Sequence, residues 1–150
     1  MAIYRNLFLE IGGFDPQFGM VGTKIGAHDG TRLVDHIRPR GKIIYTPEAV
    51  VYHMVPEWRV TRSYFVKRGF SQGMGDARLA QARVPLNRYR LLRVLVADQI
   101  FLAKEIGSLL EALWHGKKDR IFYRFIAVII RLGSIWERLK LITNFSNLSK

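Results

Sequence analysis

The chain has 150 residues, enough for one ordinary domain, and no cysteine, which excludes disulfides, cysteine-ligated metal sites and thiol catalysis. Hydrophobic residues make up 49% and charged residues 24%, a composition that is globular and excludes a disordered or low-complexity chain. The net charge of +12 favours anionic partners such as nucleic acid, anionic lipid or a sugar nucleotide.

Short helices are predicted at the start of the chain. Residues 3–11 place apolar side chains on one helical face, and Gly12-Gly13 favours a left-handed end to that helix. A Gly-rich loop then leads to a second predicted helix over residues 31–38, with Leu33, Val34 and Ile37 facing inward.

Two short strands are predicted next. Residues 42–46 and 49–53 are rich in β-branched and aromatic side chains, and Pro47-Glu48 between them favours a turn. Because their apolar runs are continuous, we expect both strands to be buried on two faces. A helix over residues 61–72 follows.

The second part of the chain is predicted to form two long helices, over residues 91–114 and 120–142, with a break at Gly116. On the second helix, basic side chains recur every seven residues and therefore share one face. They are Arg124, Arg131 and Arg138.

This basic face has two interpretations. With Tyr123, Phe125 and Trp136 nearby, it fits a helix that lies in the interface of an anionic membrane. Alternatively, the two helices form a hairpin whose apolar faces pack together. The sequence shows no signal peptide and no apolar stretch of the roughly 20 residues that a membrane span needs. We therefore expect a cytoplasmic protein, peripheral on the cytoplasmic membrane face.

A series of short motifs runs from Arg5 to Gly73. They are Arg5-Asn6-Leu7-Phe8, Ile11-Gly12-Gly13-Phe14-Asp15, the Gly-rich loop before Leu33, Gly41-Lys42-Ile43-Ile44-Tyr45, Pro47-Glu48-Ala49-Val50-Val51-Tyr52-His53, Tyr64-Phe65-Val66-Lys67-Arg68 and Gln72-Gly73. Their order and spacing resemble the C-terminal half of the catalytic domain of family 2 glycosyltransferases, which have the GT-A fold.

The resemblance implies an α/β fold: a partial GT-A-like segment with short helices and two or more strands over residues 1–75. A mainly α-helical C-terminal hairpin, amphipathic and membrane-associated, would occupy residues 76–150. The implied activity is transfer of a sugar from a nucleotide-diphosphate sugar to an acceptor hydroxyl, and in such families the acceptor is often lipid-linked.

The resemblance implies a carboxylate base just before the second helix. Here the sequence is Ala27-His28-Asp29-Gly30, and an alignment without gaps puts Gly30 at the position where the family has its base. A shift of one residue in the loop would give the role to Asp29. Alternatively, Asp29 caps the following helix, and His28 offers a second titratable group.

The resemblance also implies a metal-ligating role for His53, at the end of the second strand. The alternative is a structural histidine held by hydrogen bonds. A divalent metal, Mn²⁺ or Mg²⁺, is expected only if a missing half supplies further ligands, because the chain contains no Asp-x-Asp motif. Basic residues after the histidine match family positions that face the donor diphosphate, best at Arg59 and Arg68; alternatively they form a solvated basic face.

The donor-binding half of a GT-A domain is not represented in this sequence. We therefore expect the chain to be inactive alone, as a fragment or as a subunit whose partner chain carries that half. The second hypothesis is a non-catalytic membrane-surface or partner-binding protein derived from such an enzyme. Nucleic-acid binding is not expected, because no helix-turn-helix, zinc-finger or RNP-like motif accompanies the positive charge.

Overall fold

The computed structural model describes residues 2–20, 25–84 and 87–148. In this part the regular secondary structure is entirely helical, with two short helices followed by three long ones. The elements are α1 (Arg5–Glu10), α2 (Asp29–Ile37), a 3-10 helix (Glu57–Val60), α3 (Arg62–Arg83), α4 (Arg88–Trp114) and α5 (Lys118–Leu148).

The two short helices are confirmed. Gly12 and Gly13 follow α1 with φ angles of +81° and +72°, a backbone region that glycine enters without steric cost. The Gly13 amide donates to the Phe8 carbonyl at 2.9 Å, which closes the end of the helix. In α2, Leu33 and Ile37 are buried as predicted, whereas Val34 is only half-buried.

The prediction of an α/β fold with two or more strands is wrong, since the described residues form no strand and the fold is all-α. Residues 42–56 contain a turn but neither helix nor strand. Their apolar side chains are exposed: Ile44 is 80% exposed, Tyr45 87% and Tyr52 93%. These residue types fit a strand only when a neighbouring strand satisfies the backbone and covers the side chains. No described segment does so.

Helix α3 is longer than predicted and continues through a glycine cluster. A Cβ atom at Gly73 would lie 1.8 Å from the Ile130 carbonyl oxygen, and one at Gly133 would lie 2.1 Å from the Phe70 carbonyl oxygen. The glycines therefore let the backbones of α3 and α5 approach closely. The predicted boundary between residues 75 and 76 falls inside α3 and stays a prediction.

The two long C-terminal helices are confirmed, with Gly116 at φ +62° in the turn between α4 and α5. The three arginines of the heptad series contact acids of α4. Arg124 lies 3.3 Å from Glu105, Arg131 lies 3.8 Å from Asp98, and Arg138 lies 2.6 Å from the same Asp98. The spacing therefore matches an interhelical ion-pair series in an antiparallel hairpin.

Candidate active site

The chain turns sharply just before α2. His28 has φ +73°, the one non-glycine residue with positive φ in the described part of the chain, and it stands at the N-cap position of α2. This conformation is unfavourable for a residue with a Cβ, by about 1–3 kcal/mol. Tertiary contacts of the His28 ring must therefore hold it.

Three side chains form a polar cluster around this turn. The Nε2 atom of His28 lies 2.6 Å from a carboxylate oxygen of Asp76 and 2.8 Å from the amide nitrogen of Gln72. Because Asp76 can only accept, its contact with His28 requires a proton on Nε2, and the Gln72 amide nitrogen then donates to the Asp76 carboxylate, 3.2 Å away, and not to Nε2. Gly75 leaves room for the ring: a Cβ there would lie 2.8 Å from Cδ2 of His28.

Asp29 is the first residue of α2 and is exposed. The position of His28 at the N-cap removes the helix-capping role considered for Asp29. Among the described residues, its carboxylate makes no hydrogen bond or ion pair, and it lies where the helix dipole stabilises a negative charge. An accessible, ionised carboxylate is chemically able to accept a proton from a hydroxyl.

Two cations contact the Gly-rich region that leads to Asp29. Arg68 donates from Nη1 to the Gly26 carbonyl, and Arg59 directs Nη2 at the sulfur of Met20, 3.8 Å away. The guanidinium of Arg59 also lies 5.0 Å from the ring centroid of Trp58. These two arginines therefore approach the same loop region as Asp29.

Arg59 retains an unused donor. Its Nε atom is buried and has no hydrogen-bond partner in the described structure. A buried guanidinium donor without an acceptor is costly, so this atom is a candidate contact for an anionic oxygen.

His53 lies apart from this cluster. Its side chain is exposed in the segment over residues 42–56. In the described part of the chain, no three histidine, aspartate or glutamate side chains gather where they could hold a metal ion. One histidine does not fit a divalent metal by itself.

An ion pair fixes α2 against the end of α3. Arg83 donates to both carboxylate oxygens of Asp35, at 2.7 and 3.0 Å. The Arg83 hydrogen bonds hold the pKa of Asp35 below its ordinary value, although partial burial acts in the opposite direction. The pair thereby holds the helix that carries Asp29.

Sequence reasoning noted Gln72 in the motif series without giving it a role, and it missed Asp76. They are four residues apart and therefore share a face of α3, but the predicted helix ended at residue 72. No local sequence pattern predicts the left-handed backbone conformation of His28, because that conformation depends on contacts of the His28 ring with α3.

Comparison with known proteins gives a partial match. No protein-family model and no solved structure matches the chain. The chain is 33% identical over 108 residues to a glucosyl-dolichyl phosphate glucuronosyltransferase of Haloferax volcanii. The match covers 67% of this chain and 34% of that protein, so the chain spans about a third of the length of its relative. The chain is thus similar to part of a glycosyltransferase.

Proposed function

We propose that this chain supplies the acceptor side of a glycosyltransferase of the family 2, GT-A type. The reaction is transfer of a sugar from a nucleotide-diphosphate donor to a hydroxyl of a lipid-linked acceptor. The observation that carries the proposal is the similarity to the archaeal glucuronosyltransferase, whose name specifies a dolichyl-phosphate-linked acceptor. The motif series from Arg5 to Gly73 supports it independently.

In this proposal Asp29 accepts the proton of the attacking hydroxyl, since its carboxylate is exposed and unpaired among the described residues. Arg59 and Arg68 bind the donor diphosphate. The orphaned Nε of Arg59 supports this role, because a phosphate oxygen would satisfy it. Arg68 uses one of its donors on Gly26 and keeps others for a ligand.

The donor-binding half belongs to additional polypeptide, either a longer form of this chain or a partner. A cavity of about 670 Å³ lies between α1, α2 and the residues 42–51, lined mainly by apolar side chains such as Leu7, Val34 and Ile44. Such a cavity beside exposed apolar side chains fits a contact with that additional polypeptide. Mn²⁺ or Mg²⁺ belongs to the proposal only with ligands from that polypeptide, His53 being the ligand that this chain offers.

The same proposal places the protein on the cytoplasmic face of a membrane, where a lipid-linked acceptor is accessible. Trp114 is 89% exposed and Tyr123 69% exposed near the turn of the α4–α5 hairpin, and such side chains favour membrane interfaces. None of the helices in the described residues is long and apolar enough to cross a bilayer.

A chimera tests the function. The matching third of the archaeal relative is replaced by this chain, and sugar transfer to a lipid-linked acceptor is measured. We expect transfer by the chimera and none by the 150-residue chain alone. Because general-base catalysis is worth about 10²–10⁴ in rate, Asp29→Asn should lower the turnover of the chimera at least about a hundredfold. Arg59→Gln should chiefly raise KM for the donor.

Asp119→Asn is the matched control, since it removes another exposed carboxylate at the start of a helix and should leave turnover unchanged. A chimera with a native circular-dichroism spectrum but no transfer would contradict the function and favour the non-catalytic alternative. Equal turnover of the Asp29→Asn and Asp119→Asn variants would remove Asp29 as the base.

A further inference from the structure

A groove lies where the turn of the α4–α5 hairpin meets the N-terminus of α3. Its volume of about 490 Å³ is typical of sites for small molecules. Leu109 and Leu113 of α4 line it together with Phe122 and Phe125 of α5. These side chains provide an apolar channel between the two helices that is open to solvent.

Two cations also line this groove. The guanidinium of Arg62 lies 5.9 Å from the ring centroid of Phe122. Lys118 precedes Phe122 by four residues of α5, and this spacing puts both on one helical face. Neither cation pairs with a carboxylate in the described part of the chain. The groove therefore combines an apolar lining with two unneutralised positive charges.

We propose that this groove binds a lipid phosphate, with the hydrocarbon chain against the leucines and phenylalanines and the phosphate at Arg62 and Lys118. Arginine offers a planar, bidentate donor for phosphate oxygens and lysine a mobile point charge. The inference rests on the proposed function for its choice of lipid, an isoprenoid chain. It names the residues that bind the lipid part of the acceptor.

The surroundings favour a ligand drawn from a membrane. Leu110 is 60% exposed and Trp114 is 89% exposed on the same end of α4. The adjoining turn and first residues of α5 also contain two basic residues, Lys117 and Arg120, and one acidic residue, Asp119. This end of the hairpin is therefore positively charged. This charge attracts an anionic lipid head group toward the groove, although salt screens it more strongly than direct contacts with Arg62 and Lys118.

Calorimetric titration of the full 150-residue chain tests the proposal with farnesyl phosphate, farnesol and inorganic phosphate as probes. We expect binding of farnesyl phosphate, affinity about thirtyfold weaker for farnesol, and no measurable binding of inorganic phosphate. The double variant Arg62→Gln, Lys118→Gln should lose about the same thirtyfold for farnesyl phosphate.

The double variant Lys117→Gln, Arg120→Gln is the matched control, because it removes two charges from the same end of the hairpin but none from the groove. It should change the affinity by less than about threefold. The apolar part of the groove is tested by two leucines that are both largely exposed. Leu113→Asp should weaken binding of farnesyl phosphate strongly because Leu113 lines the groove, whereas Leu110→Asp should not because Leu110 lies outside it.

Equal losses of affinity in the two double variants would overturn the groove as the binding site, because they would show only a diffuse effect of positive charge. Equal affinity for farnesol and farnesyl phosphate would overturn the phosphate site, as would no binding of either. The outcome is separable from the proposed function. If the chain binds farnesyl phosphate but the chimera transfers no sugar, the proposed function is wrong and the groove site stands. If the chimera transfers sugar equally well with and without the groove substitutions, the groove site is wrong and the proposed function stands.

Discussion

Gly73→Ala should destabilise the protein by about 3 kcal/mol, despite the better helix propensity of alanine. The added Cβ would lie 1.8 Å from the Ile130 carbonyl oxygen and 2.8 Å from the Ser134 amide nitrogen. Both contacts are with the backbone of α5, so no side-chain rotation relieves them, and the two helices must separate. Urea unfolding followed by circular dichroism measures the change in free energy.

Gly107→Ala is the control for the same chemical change. Gly107 lies within α4, and a Cβ there meets nothing within 4 Å. This variant should therefore be more stable than the parent by up to about 1 kcal/mol. Destabilisation of both variants by the same amount would show that α3 and α5 do not approach closely at Gly73.

Asp98→Ala should cost about 3–5 kcal/mol, because it leaves a buried cation without its partner. Asp98 is 4% exposed and accepts from Arg138 at 2.6 Å and from Ser134 at 3.3 Å. Arg138 is itself 8% exposed, so water cannot replace the lost carboxylate without a rearrangement of the helices. The same urea titration measures the loss.

Glu105→Ala provides the comparison within the same hairpin. Its partner Arg124 is 3.3 Å away and both side chains are partly exposed, so we expect a loss of about 1 kcal/mol or less. The double variant Asp98→Leu, Arg138→Met should lose much less than the sum of the single changes. Additive losses in that double variant would contradict a direct, buried ion pair.

The sequence predicted the helices best where hydrophobic spacing extends over many residues. The two long C-terminal helices are present because their apolar stripes have somewhere to pack, namely each other and α3. The heptad spacing of Arg124, Arg131 and Arg138 predicts one shared face but does not by itself identify the partners of that face. Asp98 and Glu105 have the same spacing of seven on α4 and would have indicated an antiparallel hairpin.

Two features depended on contacts far away in the chain. The strands predicted from residues 42–46 and 49–53 need neighbours that the described structure does not contain, and propensity alone cannot provide them. The predicted helix over residues 61–72 ended just before Gly73, whereas Gly73 continues the helix and serves the close approach to α5. Local sequence does not distinguish a glycine that ends a helix from one that permits a close approach.

The roles of the candidate site residues stay predictions. Arg59 and Arg68 contact the loop region that leads to Asp29, whereas His53 lies in an exposed segment. The sequence could place Asp29 near a helix start from its neighbours alone. It could not show that His28 takes the N-cap position, since that depends on Gln72 and Asp76 of α3.

We expect additional polypeptide that carries the donor side to cover residues 42–55, whose apolar side chains are exposed in this structure. Amide hydrogen exchange over these residues, compared between the isolated chain and the chimera, tests it most directly. We expect exchange near the unprotected rate in the isolated chain, where Tyr45 and Tyr52 are exposed, and strong protection in the chimera. Unprotected exchange in both proteins, with native helices, would contradict the claim.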